Sequence, residues 1–561
     1  MGSIIAKRIN GQTYYYLREM ARVGGKPKAV SQRYLGKAAD IEAAMGGASV
    51  MPERTRHLGF GDVAGVFGVL DRLGVAEIVD EVVGSRRADA GASVGTYIAL
   101  ACVNRVVAPC SKLAFSDWWC TTAGDRMFGL PLAALDHRRF WDAMDALSTD
   151  QLAEIERRID TAMIDHYDLD VSGLVLDMTN FATYIDSANE KAPIAQRGHA
   201  KQKRNDLRLV GLGLVVTSDG GVPLLSHAYP GNRHDSSQFA TMIDELATRY
   251  RDLVSSGAEL TVVYDAGQGS EVNQRAIEAA PLHFVSSVRP SDHPDLLSVD
   301  RRRYRKVTGF EGVTAFESYA EILGAPRRVV VTHSRNLHAK QSAGFDQTLA
   351  KASARLDEIR ARLARGGGRK DRAVVEAEVA EVLRPRWLHR VVSVRLRGET
   401  PGMLRLTWRV DADARAALER ELFGKRILFT DHEDWLTEQV VAAYRSQFEV
   451  EADFRQMKDP AVVSFSPMFH WTDQKIRVHV FCCVLALRVA KLMRRQAQRS
   501  GLEMSVREVL ETLGGIEETV LLFPSTGGRP KARRMLTEMD PMQQRLYDLF
   551  DLGAYAPKTE S

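Results

Sequence analysis

Two aspartates, Asp177 and Asp265, each close a short apolar run: 173–177 reads Gly-Leu-Val-Leu-Asp and 260–265 reads Leu-Thr-Val-Val-Tyr-Asp. Runs of this length and composition fit strands buried on both faces. Carboxylates at the carboxyl ends of neighbouring strands lie outside the sheet, where open α/β sheets carry their sites. Two such groups repel each other unless a divalent cation sits between them. Mg²⁺ is the natural guest, because it takes hard oxygen ligands and completes its shell with phosphate. The plainer reading is that each aspartate only ends its strand.

A third element bears on that choice. Residues 444–458 are strongly helical in pattern. Tyr444, Gln447, Glu451, Arg455 and Lys458 follow at spacings of three, four, four and three, and so share one helix face. Val450, Phe454 and Met457 form an opposing apolar face that would dock the helix on a sheet. A carboxylate flanked by Tyr, Arg and Lys along one ridge suits a metal ion and a phosphate track. Otherwise the ridge is the solvated side of an amphipathic helix.

Other segments must position these residues. After the first acid come a strand at 207–217, a hairpin turn at 218–221 and a return strand at 222–228. A helical stretch at 236–249, the second acid strand and a strand at 283–288 complete a mixed α/β layer pattern. Residues 295–435 interrupt it with β-like segments at 328–332, 389–396 and 403–410 and with a helical hairpin. In that hairpin Phe345, Leu349, Ala352, Leu356, Ile359 and Leu363 form a heptad seam. Gly366 to Gly368 end it before a return helix at 374–383. Upstream, 12–18 and 30–35 read as short strands about a turn at Gly24 and Gly25, and 60–168 as helices with Trp118 and Trp119 in the core. From 438 the chain is helical again, ending in a helical tail at 501–561.

Taken in order, these motifs resemble the DDE transposases of bacterial insertion sequences, in the branch with a Tyr-x2-Arg-x3-Glu-x6-Lys signature. Tyr444, Glu451 and Lys458 match that spacing, and Gln447 stands where the family usually has Arg. The run Leu174 to Asn180 resembles the family's first acid strand and Val262 to Gly267 its second. Tyr229 to Asp235 resembles the segment after the family's β-hairpin, and Phe469 to Asp473, on through His479, the usual follow-on to the Lys. The resemblance implies an α/β, RNase H-like catalytic domain (169–294 and 436–500) interrupted by a β-rich insertion with a coiled-coil hairpin (295–435). It implies Asp177, Asp265 and Glu451 as a metal-holding catalytic triad with two Mg²⁺ ions, Mn²⁺ being able to substitute. Tyr444, Gln447, Arg455 and Lys458 would hold DNA phosphate. Gln447 lacks the charge and the bidentate fork of Arg, and Arg445 or Arg455 would have to replace them. The expected reaction is hydrolysis at the element ends followed by joining of the 3′-hydroxyl to target DNA, two metal ions serving the attacking and leaving oxygens. An aromatic that receives a flipped base is also expected, with Trp387, Trp408 and Trp435 as candidates.

Composition sets the frame. The chain of 561 residues suggests roughly three or four domains. With 45% hydrophobic and 26% charged residues it is neither disordered nor fibrous. Its longest apolar run, 478–490, is broken by His479 and Arg488 and is too short for a bilayer. No secretory signal and few cysteines point to the cytoplasm. A net charge of +4 does not announce nucleic acid, but its distribution favours a polyanion. Basic clusters occur in 1–59, at Arg197, Lys201, Lys203, Arg204 and Arg208, and from Arg360 to Arg372. The basic β-rich region 1–59 and the helices of 60–168 are the expected module for double-stranded DNA ends. A homodimer is expected to pair two ends, through the heptad hairpin or the tail. Two other readings share these residues: a non-catalytic DNA-binding repressor and a stand-alone nuclease.

Overall fold

The computed structural model describes residues 2–9, 11–23, 26–45, 51–84, 91–201, 204, 206–251, 259–365, 371–524 and 531–558. Lys203, the Gly24–Gly25 turn and Gly366 to Gly368 lie outside them.

Nine strands form one mixed sheet: β1 (Gly173–Thr183), β2 (Arg208–Thr217), β3 (Pro223–Pro230), β4 (Thr261–Tyr264), β5 (His283–Val288), β6 (Arg305–Lys306), β7 (Val313–Ile322), β8 (Ala325–Ser334) and β9 (Lys425–Thr430). Their spatial order is β6-β7-β8-β9-β5-β4-β1-β2-β3. β4 runs parallel to both β1 and β5, and every other pair is antiparallel. The β2–β3 turn needs two residues at positive φ, and Gly220 and Gly221 supply them at 86° and 67°. Helices α1 (Asp235–Arg249) and α2 (Glu271–Ala279) cover the face carrying Tyr264, where Phe239 and Gln274 meet its ring and hydroxyl. Helices α3 (Arg335–Ala364) and α4 (Arg372–Leu383) form the hairpin, and α5 (Thr437–Arg445) and α6 (Gln447–Met457) cover the opposite sheet face.

β1 runs past the acid that was expected to end it. Asp177 lies mid-strand, and what stops there is its parallel neighbour: Leu176 pairs with Tyr264, the last residue of β4. Beyond that level only β2 flanks β1, so the sheet opens beside Asp177. Likewise the stretch expected as an insertion contributes four strands, β6 to β9, to the main sheet rather than to a separate one. Pairing along β5 satisfies an edge that would otherwise stay open. Residues 389–391 are helical, the strand beginning only at Val392. The projecting part consists of α3, α4 and the two-stranded ladder Val392–Arg397 with Arg405–Val410.

The hairpin seam is covered within the chain. Phe345, Ala352, Leu356, Ile359 and Leu363 are all buried, as is Val375 of α4. A dimer cannot use that seam.

The helices of 60–168 pack around α7 (Asp473–Arg499), a helix buried along most of its length. Its Arg488, with no exposed surface, donates to Glu156 at 2.8 Å and lies 3.1 Å from Asp160, both on the helix Thr149–Tyr167. Arg249 of α1 reaches the same two acids at 2.9 Å. Trp119 is core and Trp118 packs against it. The region after 501 is only partly helical: Glu517–Phe523 and Lys531–Leu536 are strands, and the first pairs with Arg54–Gly59. Alternating apolar and polar residues in so short a tail fit either element, and the distant partner strand decides. At the N-terminus Gly2–Ile9, Gln12–Val23 and Lys26–Gly36 form an antiparallel meander. Among the described residues no helix is long and apolar enough to cross a membrane.

Candidate active site

The β1–β4–β5 register brings three side chains into one row. Tyr264 pairs with Leu176 on one side and Ser286 on the other, so Asp177, Asp265 and Ser287 each follow at the same level. Burial first, then the nearby Asp265 and Asp235 carboxylates, push the Asp177 carboxyl up to about 6, against the pull of the Met178 amide and Lys201. Two acids are close enough to feel each other here, and one is half-buried. Hard carboxylate oxygens under mutual repulsion are a donor set that fits a divalent cation.

Helices α5 and α6 carry the other candidates, with Ser446 between them still in helical conformation. Tyr444, on the last turn of α5, is buried; its hydroxyl is 2.8 Å from Ser287 Oγ and donates to Asp265 at 3.3 Å. Gln447 is buried as well, so the first part of the ridge is covered, whereas Glu451 and Arg455 face solvent. Val450, Phe454 and Met457 are buried on the expected docking side. Of the three acids on α6, Glu449 and Asp453 are buried on Lys491, at 3.4 and 2.6 Å, whereas Glu451 is exposed. Glu451 lines a cleft of about 300 Å³ together with Asp265, Ser287, Tyr444 and Gln447. Arg386, Trp387 and Arg426 line it too.

Lys458, just past α6, donates to Thr179 Oγ1 at 3.0 Å, two residues beyond Asp177 on the same face of β1. Burial and the neighbouring Lys201 lower its pKa, which Asp177 opposes. Lys201 itself pairs with Asp235 at 2.8 Å, and Asp235 accepts from the Tyr229 hydroxyl at 2.6 Å. Arg455 is exposed. Arg445 lies over Phe310 at 4.5 Å, turned to a neighbouring cavity.

The structure thus gathers Tyr444, Gln447 and Glu451 with Asp265, and Lys458 and Lys201 with Asp177. Other expected contacts are spent locally. Arg204 is bidentate on Asp206 at 2.9 and 2.8 Å, and Arg208 donates to backbone carbonyls. Arg197 donates to the Ser187 hydroxyl at 3.4 Å and lies near enough to Asp206 to lower its pKa. In the third basic cluster Arg360, Arg362 and Arg372 are paired with Asp357, Glu378 and Glu376. Arg369 and Lys370 of that cluster lie outside the described residues.

Sequence reasoning missed Arg426, Ser287 and Thr179. Nothing in the order of residues marks a strand arginine as a cleft wall. Thr179 sits inside the motif quoted for Asp177, and period-two alternation puts the two on one face. Trp387 is the candidate aromatic in the cleft, held in left-handed conformation at φ 72°. Trp408 instead donates to Asp357 at 3.0 Å, and Trp435 stacks on His432 at 3.7 Å.

Among the described residues, one group of three metal-ligating side chains has ligand atoms all within 4.8 Å of one another: His283, Asp431 and His432. Asp177, Asp265 and Glu451 do not close to that degree. The histidine group is nonetheless a poor cage. Its rings stack at 4.5 Å and 24°, whereas an ion lies in the plane of each imidazole it ligates. The five cysteines are unpaired, and buried His479 lies 2.8 Å from the Phe465 carbonyl.

No curated protein matches this sequence. Among solved structures, the chain resembles the synaptic complex of piggyBac transposase with hairpin DNA at 10% identity, over 82% of each chain. The TM-score is 0.35, at which neither fold nor binding passes from one chain to the other. The model of the transposase DDE domain family matches residues 170–462, from β1 through the acid strands to the end of the α6 ridge. That span is more than half of the chain and holds all three acids, and the protein belongs to the transposase DDE domain family.

Proposed function

We propose that this protein is the transposase of a bacterial insertion sequence, binding the element's inverted-repeat ends, cleaving them, and joining the freed 3′-hydroxyls to target DNA. The observation that carries the reading is that Asp177 and Asp265 each follow the last β1–β4 pair, Leu176 with Tyr264, while Glu451 lines the same cleft as Asp265. The mixed sheet with helices on both faces supports an RNase H-like catalytic domain.

Asp177, Asp265 and Glu451 would hold Mg²⁺, two ions by the chemistry of phosphoryl transfer, or Mn²⁺ in their place. Bound there, the metal supplies charge for the attacking and leaving oxygens of an in-line displacement. The chain's own residues do the rest. Tyr444 fixes the Asp265 carboxylate from one side. Lys458 and Lys201 offer ammonium groups to phosphate beside Asp177. Arg426, 5.5 Å over the Tyr444 ring and lining the cleft, supplies the fixed charge that Gln447 lacks. Trp387 is the aromatic placed to receive an unstacked base. End recognition falls to the basic meander and the helices that follow it, and pairing of two ends calls for a homodimer.

Purified protein with Mg²⁺ and DNA bearing the gene's own flanking ends should cut at the end boundary, and Asp265→Ala should not. Binding without cleavage by either protein would move the reading to a non-catalytic DNA-binding protein, with Gln447→Arg the first reversion to try. Cleavage without regard to the inverted repeats would make it a nuclease. Lys or Arg to Ala changes between residues 7 and 37 should weaken end binding in a gel shift at fixed salt, and unchanged affinity removes that assignment.

A further inference from the structure

The aromatic segment after Lys458 takes no part in the site above, yet it is built as a platform. Phe469 and Trp471 are 56% and 55% exposed. Neither is loose. Asn189 donates to the Trp471 carbonyl at 2.8 Å, the Lys191 ammonium lies 5.0 Å over the Trp471 ring, and the Phe469 ring is 5.8 Å from Tyr184. Large aromatics fixed in water are uncommon unless something covers them.

These rings open on a cavity of about 420 Å³ whose opposite wall is Trp141 and Leu113 of the helical region. Its floor is positive. Arg105, 2% exposed, donates to the Ser466 carbonyl at 2.9 Å and to that of Cys110, and its Nε has no partner. Beside it stands Lys112, which burial and Arg105 push down to about 8. Burial, then Lys112 and Arg105, push His470 down to about 3. The rim cations Lys475 and His137 have carboxylate neighbours, Asp145 at 2.7 Å and Asp136 at 3.7 Å. Among the described residues no carboxylate pairs with Arg105 or Lys112, although a buried guanidinium ordinarily demands one.

Planar apolar side chains beside two cations that no carboxylate pairs, one buried and one half-buried, suit a ligand that is flat and anionic at once. We propose that this cavity takes one unpaired nucleotide of a DNA strand, its base on the Trp471 ring and its phosphate on Arg105 and Lys112. Position agrees with the occupant. Tyr184 directly follows β1, so the platform stands roughly 20 Å beyond Asp177 along that strand. A single strand leaving the acids past Thr179 and Lys458 runs toward it. The inference rests on the proposed function only for its choice of DNA as ligand.

The test uses the full chain with a fluorescein-labelled 15-nucleotide thymidylate strand and a blunt duplex of the same length, read by anisotropy at fixed salt. Trp471→Ala and Lys112→Met should each weaken single-strand binding about tenfold, as loss of one stacked base does, and leave duplex binding within about twofold. Trp471→Phe should restore most of it, which loss of folding would not allow. Unchanged single-strand affinity in both variants, an equal loss on duplex, or no single-strand binding by the wild type overturns the proposal. Full competition by millimolar thymidine monophosphate would show a free-nucleotide site instead and overturn the strand as occupant. End cleavage run alongside separates the two readings: its failure with the Trp471 effect intact sinks the transposase and leaves the cavity standing.

Discussion

Tyr444 is the residue on which the acid row is hung, because its buried hydroxyl joins Ser287 of one strand to Asp265 of the next. Tyr444→Phe should slow single-turnover end cleavage about tenfold with DNA affinity unchanged, since about 1.4 kcal/mol of positioning is lost and no phosphate contact. A fall in affinity with no change in rate would assign Tyr444 to binding instead. A second titratable group sits far from the cleft. Burial pushes the Asp62 carboxyl up to about 6, against the Val63 amide that donates to it at 2.7 Å. The folded chain therefore holds this proton more tightly than the unfolded one. The stability it brings is complete below about pH 4 and is lost as pH rises through 6. Asp62→Asn should match the wild type in denaturant midpoint at pH 4 and exceed it at pH 8, by about 2–3 kcal/mol. Parallel pH profiles would refute the assignment. At this scale residue type and spacing singled out Asp177, Asp265 and Glu451, and the structure sets the two aspartates at one level of the sheet, with Glu451 on the cleft that Asp265 lines. The sequence was silent on Arg426 and Arg105, whose roles come from neighbours brought in by the fold.

Elements were legible where periodicity has one meaning. The ridge 444–458, the hairpin at 218–221 and the seam from Phe345 to Leu363 all emerged with the faces expected of them. Those that misled were strands whose identity depends on a distant partner: β6 to β9, which extend the main sheet, and the tail strands. Propensity cannot see a partner. The seam is a thin layer closed by the return helix and the ladder strand Arg405–Val410, so Leu356→Ala should destabilise this arm by about 2–5 kcal/mol. Hydrogen exchange should show the loss confined to 335–410, and a loss spread over the main sheet would mean that arm and sheet fold as one unit. The Arg488 network behaves oppositely, because it ties α7, α1 and the helix Thr149–Tyr167 together. Arg488→Met leaves Glu156 and Asp160 buried with Arg249 alone and should cost about 3–5 kcal/mol globally, read as a shifted denaturant midpoint.

The whole molecule is closed by its two distant ends. Arg54–Gly59 is the outer partner of Glu517–Phe523, and the helix that follows it, Gly61–Arg72, packs on Val506–Gly514. The approach is so close that a Cβ at Gly61 would run into the Leu513 carbonyl and the Ile516 side chain. Gly61→Ala should therefore destabilise the seam by about 1–3 kcal/mol and free both strands to limited proteolysis; wild-type resistance would show that the backbone yields.

His57 and Thr519, in contact across this seam, are 462 residues apart. At usual rates of synthesis a ribosome needs roughly 20–90 s to travel between them. For that interval the first strand has no partner, and the helix that follows it, Gly61–Arg72, has no finished seat. A chain released early keeps both acid strands but never closes. The order of synthesis thus sets the order of closure: the sheet that holds the acids can form before the seam that joins residues 54–59 to 517–523.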